Sequence, residues 1–253
     1  VIMKHGVGVD NIDLDAATSR GVAVANAPGT NAEAGADLAV GLMLSVLRGI
    51  CPANASTHSG GWDRFMGHEL GAMTVGIVGT GRIGAGVARR VRAFGSRLLG
   101  YDVIQREDLQ ATHGLVYVSL ERLLEEADVV TLHAPLLKET TGMIGKPELR
   151  RMKPTAILVN CARGELVDES ALYEHLRSGR IAGAAVDVFA TEPPQDSRLL
   201  CLDNVVATPH IGAYAYEAME AMDRLCAETI IDVLLHGKVP ANVVNPDVLR
   251  ASG

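Results

Sequence analysis

From Thr74 onward, short apolar runs alternate with amphipathic stretches. Runs at 74–78, 97–101, about 115–118, 127–132, 155–160, 181–187 and 204–208 read as buried strands. Between them, apolar residues at helical spacing predict helices near 82–94, 120–126, 146–152 and 168–178, with a short connection through 194–202. Alternation of this kind predicts an α/β fold, a doubly wound parallel sheet with right-handed crossovers. Ligands of such sheets lie beyond the carboxyl ends of the strands. A last helix is expected from about Tyr214 to His236, closed by Gly237, and Val239–Pro246 reads as an extended return.

Upstream of Thr74 the pattern is weaker. Val1-Ile2-Met3 reads as a short buried strand opening into a loop with Gly6 and Gly8, whose N–H groups either face an anion or make an ordinary turn. Asp13 or Asn11 caps a short helix through Ala16-Ala17-Thr18, Gly21 ends it, and Val22-Ala23-Val24 gives another strand. After the break at Asn26–Gly29, Thr30 and Glu33 form a capping box for a long helix to about Arg48. Pro52–Gly61 is a weaker continuation, followed by a loop carrying Trp62 and Phe65.

One stretch organises the rest. Thr74–Val78 is followed by Gly79, Gly81 and Gly84 at the spacing of a dinucleotide-binding turn, running straight into a helical pattern. Gly79 permits the tight turn, Gly81 lets the backbone approach a pyrophosphate, and Gly84 lets the helix pack closely on the strand. The helix start at Arg82-Ile83 then presents unpaired N–H groups to the phosphates. Asp102 ends the next strand, near the expected spacing for a ribose 2′-OH, and is expected to accept from both ribose hydroxyls while repelling a 2′-phosphate. These features predict bound NAD rather than NADP.

The net charge of −7 comes without basic clusters, which argues against nucleic acid or an anionic membrane as partner. The strongly apolar stretches are of strand length, well short of the roughly 18 residues a membrane span needs. Cys51, Cys161, Cys201 and Cys226 stand singly, with no metal spacing, and read as reduced thiols of a cytoplasmic protein with no metal site.

The residues just after strands are the chemical candidates: Asp102, His133-Ala134-Pro135, Cys161-Ala162-Arg163-Gly164, Asp187 and Thr208–Gly212. Arg163 offers a planar fork suited to a carboxylate, or lies on the surface. His210 titrates near neutrality and can give or take the proton that accompanies hydride transfer. Glu192, in a Pro-rich loop, can stabilise an imidazolium, although spacing does not show which histidine it meets. Of the eight histidines, His58, His68, His113, His175 and His236 read as surface or cap residues.

Four segments carry a resemblance: NCARGELVD at 160–168, AVDVF at 185–189, EPP at 192–194 and PHIGA at 209–213. Together they resemble the signature segments of the D-isomer-specific 2-hydroxyacid dehydrogenases. GVGVDNID at 6–13 and WDRFMG at 62–67 are most similar to the D-3-phosphoglycerate dehydrogenase branch. The resemblance implies an NAD-dependent oxidoreductase acting on a D-2-hydroxy acid/2-keto acid pair. A glyoxylate/hydroxypyruvate or D-lactate-type reductase would share the same catalytic residues, and a non-catalytic NAD-sensing corepressor is the alternative of another class. His210 would be the acid/base, Glu192 would orient and charge it, and Arg163 would clamp the substrate carboxylate. The implied cofactor set is Gly79, Gly81, Arg82, Ile83, Gly84, Asp102, His133, Ala134, Pro135, Cys161, Ala162, Arg163, Asp187, His210 and Gly212, with Asp187 on the nicotinamide carboxamide. Lys4, Val7 and Gly8 would meet the substrate with Arg163 and His210. Lys4 stands where that branch tends to carry an arginine.

The expected organisation is a Rossmann NAD-binding domain at 48–231 and a partial, flavodoxin-like substrate domain at 1–47 and 232–253. The substrate domain is expected to lack its N-terminal part, so that this chain binds NAD but turns over poorly beside an N-terminally extended version. A homodimer is expected by the same resemblance, its interface formed by the Asn31–Arg48 helix and the Trp62–Met66 loop.

Overall fold

The computed structural model describes residues 1–249; residues 250–253, the end of the expected 232–253 segment, lie outside the described residues. In chain order the elements are β1 (Ile2–Met3), α1 (Leu14–Ser19), β2 (Val24–Ala25), α2 (Ala32–Leu47), α3 (Ile50–His58), β3 (Thr74–Val78), α4 (Arg82–Phe94), β4 (Arg97–Tyr101) and α5 (Glu107–His113). They continue with β5 (Val116–Tyr117), α6 (Leu120–Glu126), β6 (Val129–Leu132), α7 (Lys146–Arg151), β7 (Ile157–Asn160), α8 (Glu169–Arg177), β8 (Gly183–Val186), β9 (Val205–Ala207) and α9 (Tyr216–His236). The chain forms two compact units, Gly35–Gly212 and a smaller one made of Val1–Ala34 with the chain from Ala213 onward.

The larger unit holds a parallel seven-stranded sheet in the order β5-β4-β3-β6-β7-β8-β9. Period-two alternation sends its side chains to two separate cores. Val75, Ile77, Val129, Ile157, Val159 and Ala185 face α2, α4 and α5. Val78, Val130, Leu132, Leu158, Ala184 and Val186 face α6, α7 and α8. Both faces are covered, which is why the central strands read as continuous apolar runs. Local chemistry sets the helix ends: Ser119 and Asp168 cap α6 and α8 through the amides of Arg122 and Ala171, and Gly95 closes α4 at φ +97.

Three expectations change in this unit. The α5 helix was not foreseen, because its single buried residue, Leu109, gives almost no apolar period. The long helix breaks at Gly49, φ +58, into α2 and a separate α3, bent by 67°. The domain boundary moves as well. From Ala36 to Leu47, α2 buries Ala36, Ala39, Val40, Leu42, Met43 and Leu47 in the sheet's own core, so it belongs to this unit, while Asp37 and Gly41 on its other side are exposed. The dividing points are therefore 34/35 and 212/213, in place of 47/48 and 231/232.

In the smaller unit β1 and β2 pair in parallel, Ile2 with Val24 and Met3 with Ala25. Asp13 caps α1 through Ala16 N at 2.8 Å. Asn245 completes the edge of β2, accepting from Val24 N at 2.8 Å and donating to Val22 O and Thr18 Oγ1. Val24 and Ala25 are fully buried, whereas Val1 and Ile2 are about 40% exposed. The first strand is thus not the core strand expected, since two strands alone supply no second covering layer. Among the described residues no single helix is long and apolar enough to cross a membrane.

Candidate functional site

The strand order reverses between β3 and β6, so the crevice of the sheet opens at their carboxyl ends. The turn after β3 and the His133-Ala134-Pro135 segment after β6 meet there. Gly79 sits at φ +88, and a Cβ on it would fall 2.6 Å from His133 C and Ala134 N. A Cβ on Gly84 would overlap the Gly79 carbonyl, while one on Gly81 would meet nothing. The α4 helix makes its first intrahelical bond from Ala85 N to Gly81 O, leaving the amides of Arg82, Ile83 and Gly84 without helical partners. Open space above Gly81, beside amides at a positive dipole end, fits a pyrophosphate.

Asp102 stands at the rim, just after β4. Its Oδ2 accepts from Thr80 N at 2.6 Å and Thr80 Oγ1 at 3.1 Å, and its Oδ1 accepts from Ile104 N at 3.0 Å. Arg106, four residues on, is committed to Asp108 through Nε and a terminal nitrogen. A carboxylate at the end of β4, with Arg106 turned elsewhere, suits a ribose hydroxyl better than a phosphate. His133 Nε2 lies 2.9 Å from Thr131 Oγ1, while its buried Nδ1 has no partner. Burial pushes this imidazole down to about 4, so it is neutral at physiological pH.

The loops after β7, β8 and β9 carry the chemical groups. In the first, buried Asn160 donates to Arg163 O at 2.8 Å and accepts from Ala162 N at 3.1 Å, stapling the turn that presents Arg163. A Cβ on Gly164 would overlap the backbone of Phe189 and Ala190, so this loop lies directly against the segment leading to Glu192. Burial, with Asp187 nearby, pushes the Cys161 thiol far up, and it is not a nucleophile at neutral pH.

Asp187 is completely buried and governs the third loop. Its Oδ1 accepts from Thr208 Oγ1 at 2.6 Å and Ile211 N at 2.9 Å, its Oδ2 from Gly212 N at 2.9 Å, and its carbonyl from His210 N at 2.8 Å. These bonds hold His210 at φ +53, a left-handed conformation that costs a non-glycine residue about 1–3 kcal/mol. From there His210 Nδ1 reaches Glu192 Oε2 at 2.8 Å, and Phe189 N steadies the other Glu192 oxygen at 3.1 Å. The pairing that sequence spacing left open is therefore His210 with Glu192. It fixes the Nδ1–H tautomer in the neutral ring and turns Nε2 outward.

In the smaller unit, the loop after β1 carries Lys4, Val7 and Gly8. Lys4 Nζ donates to Asn11 Oδ1 at 3.1 Å, and Asn26 Nδ2 donates to Val7 O at 2.7 Å. Sequence reasoning named Asn160 and Thr208 only as members of their segments and gave neither a role, although they shape the loops. The signal for Asn160 was a polar residue ending an apolar run. His175, read as a surface residue, is buried, with Nδ1 2.7 Å from Ala171 O.

Residues 40–212 match the family model described as D-isomer specific 2-hydroxyacid dehydrogenase, NAD binding domain. The chain is 46% identical to a glyoxylate reductase of Korarchaeum cryptofilum, covering 99% of this chain and 77% of that protein. It is 48% identical to a D-3-phosphoglycerate dehydrogenase of Methanocaldococcus jannaschii, covering 97% of this chain but about half (47%) of that protein's length. Among solved structures it resembles a D-lactate dehydrogenase from Aquifex aeolicus complexed with NAD and lactic acid. That match has a TM-score of 0.88 and 33% identity, over 96% of this chain and 79% of the other.

Proposed function

The chain belongs to the D-isomer specific 2-hydroxyacid dehydrogenase family, NAD-dependent oxidoreductases, and from that premise we propose that it interconverts a D-2-hydroxy acid and its 2-keto acid, with His210 as acid/base. NAD(H), when bound, carries the hydride. His210 Nε2 gives a proton to the substrate oxygen in reduction and takes it in oxidation. Glu192 stabilises the charged ring through Nδ1–H, and Arg163 grips the substrate carboxylate with its planar fork. Lys4 and the amides of Val7 and Gly8 are assigned to the substrate by the resemblance alone.

The 2.8 Å bond between His210 and Glu192, on a loop tethered to a buried Asp187, carries this reading. A protein that only sensed NAD has no use for that arrangement. The substrate we assign is of the D-3-phosphoglycerate type, supported by GVGVDNID at 6–13 and WDRFMG at 62–67. Glyoxylate is the second reading, favoured by the Korarchaeum relative, of which this chain spans 77%. Turnover with NADH against a panel of 2-keto acids, phosphorylated and not, separates the two. His210→Ala lowers kcat about a hundred- to ten-thousand-fold and leaves NADH affinity nearly unchanged, because the acid/base acts in the transition state. Glu192→Gln lowers it less. Near-normal turnover of His210→Ala refutes the assignment.

We place the protein in the cytoplasm as a homodimer with a small-molecule acid as its partner, without nucleic acid or membrane. Its interface is assigned to the Asn31–Arg48 helix and the Trp62–Met66 loop, in which Trp62 is 77% and Met66 fully exposed. Sedimentation at micromolar concentration is expected to give a dimer, and a monomer there overturns it.

A further inference from the structure

A chain of hydrogen bonds runs behind Asp102. Arg106 N donates to Tyr117 Oη at 2.9 Å, and Tyr117 Oη lies 2.8 Å from Thr80 Oγ1. Thr80 Oγ1 in turn lies 3.1 Å from Asp102 Oδ2. The direction of each bond follows from the donors available. A hydroxyl has one hydrogen. Asp102 is an acceptor only, so Thr80 must spend its hydrogen on the carboxylate. Tyr117 then has to donate to Thr80, while its own oxygen accepts from Arg106 N. The sequence of donors is therefore Arg106 N–H, Tyr117 O–H, Thr80 O–H, ending on the Asp102 carboxylate. Bonds aligned head to tail polarise one another.

Thr80 is 1% exposed, so this chain lies beneath the crevice and leaves its surface open. Its effect on Asp102 is to fix which lone pairs remain. A carboxylate has about four lone-pair positions. Two donors fill those of Oδ2, and Ile104 N fills one on Oδ1. One position on Oδ1 is left for a ligand. The same bonds tie both ends of the 102–106 loop to β5, through Tyr117.

We infer that Tyr117 is a positioning residue for cofactor choice: through Thr80 it locks the Asp102 carboxylate so that its one open lone pair meets a ribose hydroxyl and its charge opposes a 2′-phosphate. The inference rests on NAD being the cofactor. A carboxylate free to rotate can turn away from a phosphate, whereas one held by three donors cannot. Discrimination then depends on the lock as well as on the charge.

The test is equilibrium binding of NADH and NADPH, followed by cofactor fluorescence, with wild type, Tyr117→Phe, Thr80→Val and Thr80→Ser. Wild type binds NADH the more tightly. Tyr117→Phe keeps the ring and removes the relay oxygen; its Kd for NADH is expected to rise about two- to tenfold, the range one hydrogen bond is worth. The Kd for NADPH changes less, so the ratio between the two narrows. Thr80→Val, a near-isostere acting from the other end of the relay, narrows it at least as much, and Thr80→Ser restores it to within about twofold. An unchanged ratio in folded Tyr117→Phe and Thr80→Val overturns the inference. Equal weakening of both cofactors does the same, as does a serine variant that behaves like the valine one. Failure of wild type to bind NADH overturns the cofactor reading and the relay together, and is distinguished by appearing before any substitution is made.

Discussion

Asp187→Asn is the substitution that separates the shape of the catalytic loop from its chemistry. The side chain is fully buried, and its carboxylate receives three donors from a single loop: Thr208 Oγ1, Ile211 N and Gly212 N. The amide of asparagine offers one oxygen and one NH2 group. If the oxygen takes the place of Oδ1, the threonine and isoleucine bonds survive, and the NH2 group faces Gly212 N with nothing to accept. One charge-assisted bond is lost, about 1.5–3 kcal/mol. That equals the roughly 1–3 kcal/mol by which the loop holds His210 at φ +53. Each 1.4 kcal/mol is tenfold in the population of the held conformation. We therefore expect kcat with a 2-keto acid to fall about ten- to a hundredfold. NADH affinity should fall as well, because Asp187 is assigned to the nicotinamide carboxamide, but by less than turnover, because the pyrophosphate turn at Gly79–Gly84 is untouched. Steady-state turnover, NADH fluorescence titration and a thermal melt distinguish these effects. A variant with kcat within twofold of wild type and the same melting temperature would show that the tether does not position His210.

Gly164→Ala sets a Cβ into the backbone of Phe189 and Ala190 and should cost about 1–3 kcal/mol, or roughly 2–4 °C of Tm per kcal/mol, together with a loss of turnover; an unchanged melt refutes the close approach. His133 gives a pH signature. Its folded-state value near 4 lies below the 6.5 of the unfolded chain, so the unfolded state takes up the proton first. Stability is intact at neutral pH and falls as pH drops from about 6.5 to about 4. Chemical denaturation across that window should show less loss for His133→Asn than for wild type, and equal loss removes His133 as the cause.

Much of the fold was legible because the central strands are buried on both faces. Runs such as Ile157–Asn160 and Val129–Leu132 cannot be mistaken for half-exposed strands, and each stops where the sheet stops. Legibility failed where burial is slight or shared. The α5 helix buries Leu109 alone and so has no period to read. The α2 helix has an apolar face that would suit a partner as well as a core, and only the structure shows that Ala36, Ala39 and Met43 share a core with Val75, Ile77 and Val159.

The site divides in the same way. Gly79, Gly84 and Asp102 were readable because a phosphate-binding turn demands those residue types at fixed spacing. The His210–Glu192 pair was readable only through the family resemblance, since the two stand 18 positions apart with β9 between them and nothing in the spacing says that they meet. What brings them together is Asp187, whose carboxylate is spent on the three donors of the His210 loop. Asp102 is spent in the same fashion, on Thr80 and Ile104. In both cases the acid that sequence reading assigns to the cofactor is held first by the protein, with one lone pair left over. The residues doing the holding (Thr208 for one, Thr80 and Tyr117 for the other) carry no motif, because any donor at the right place would serve. A substitution at Thr80 or Thr208 should therefore change ligand affinity or turnover with no motif residue altered.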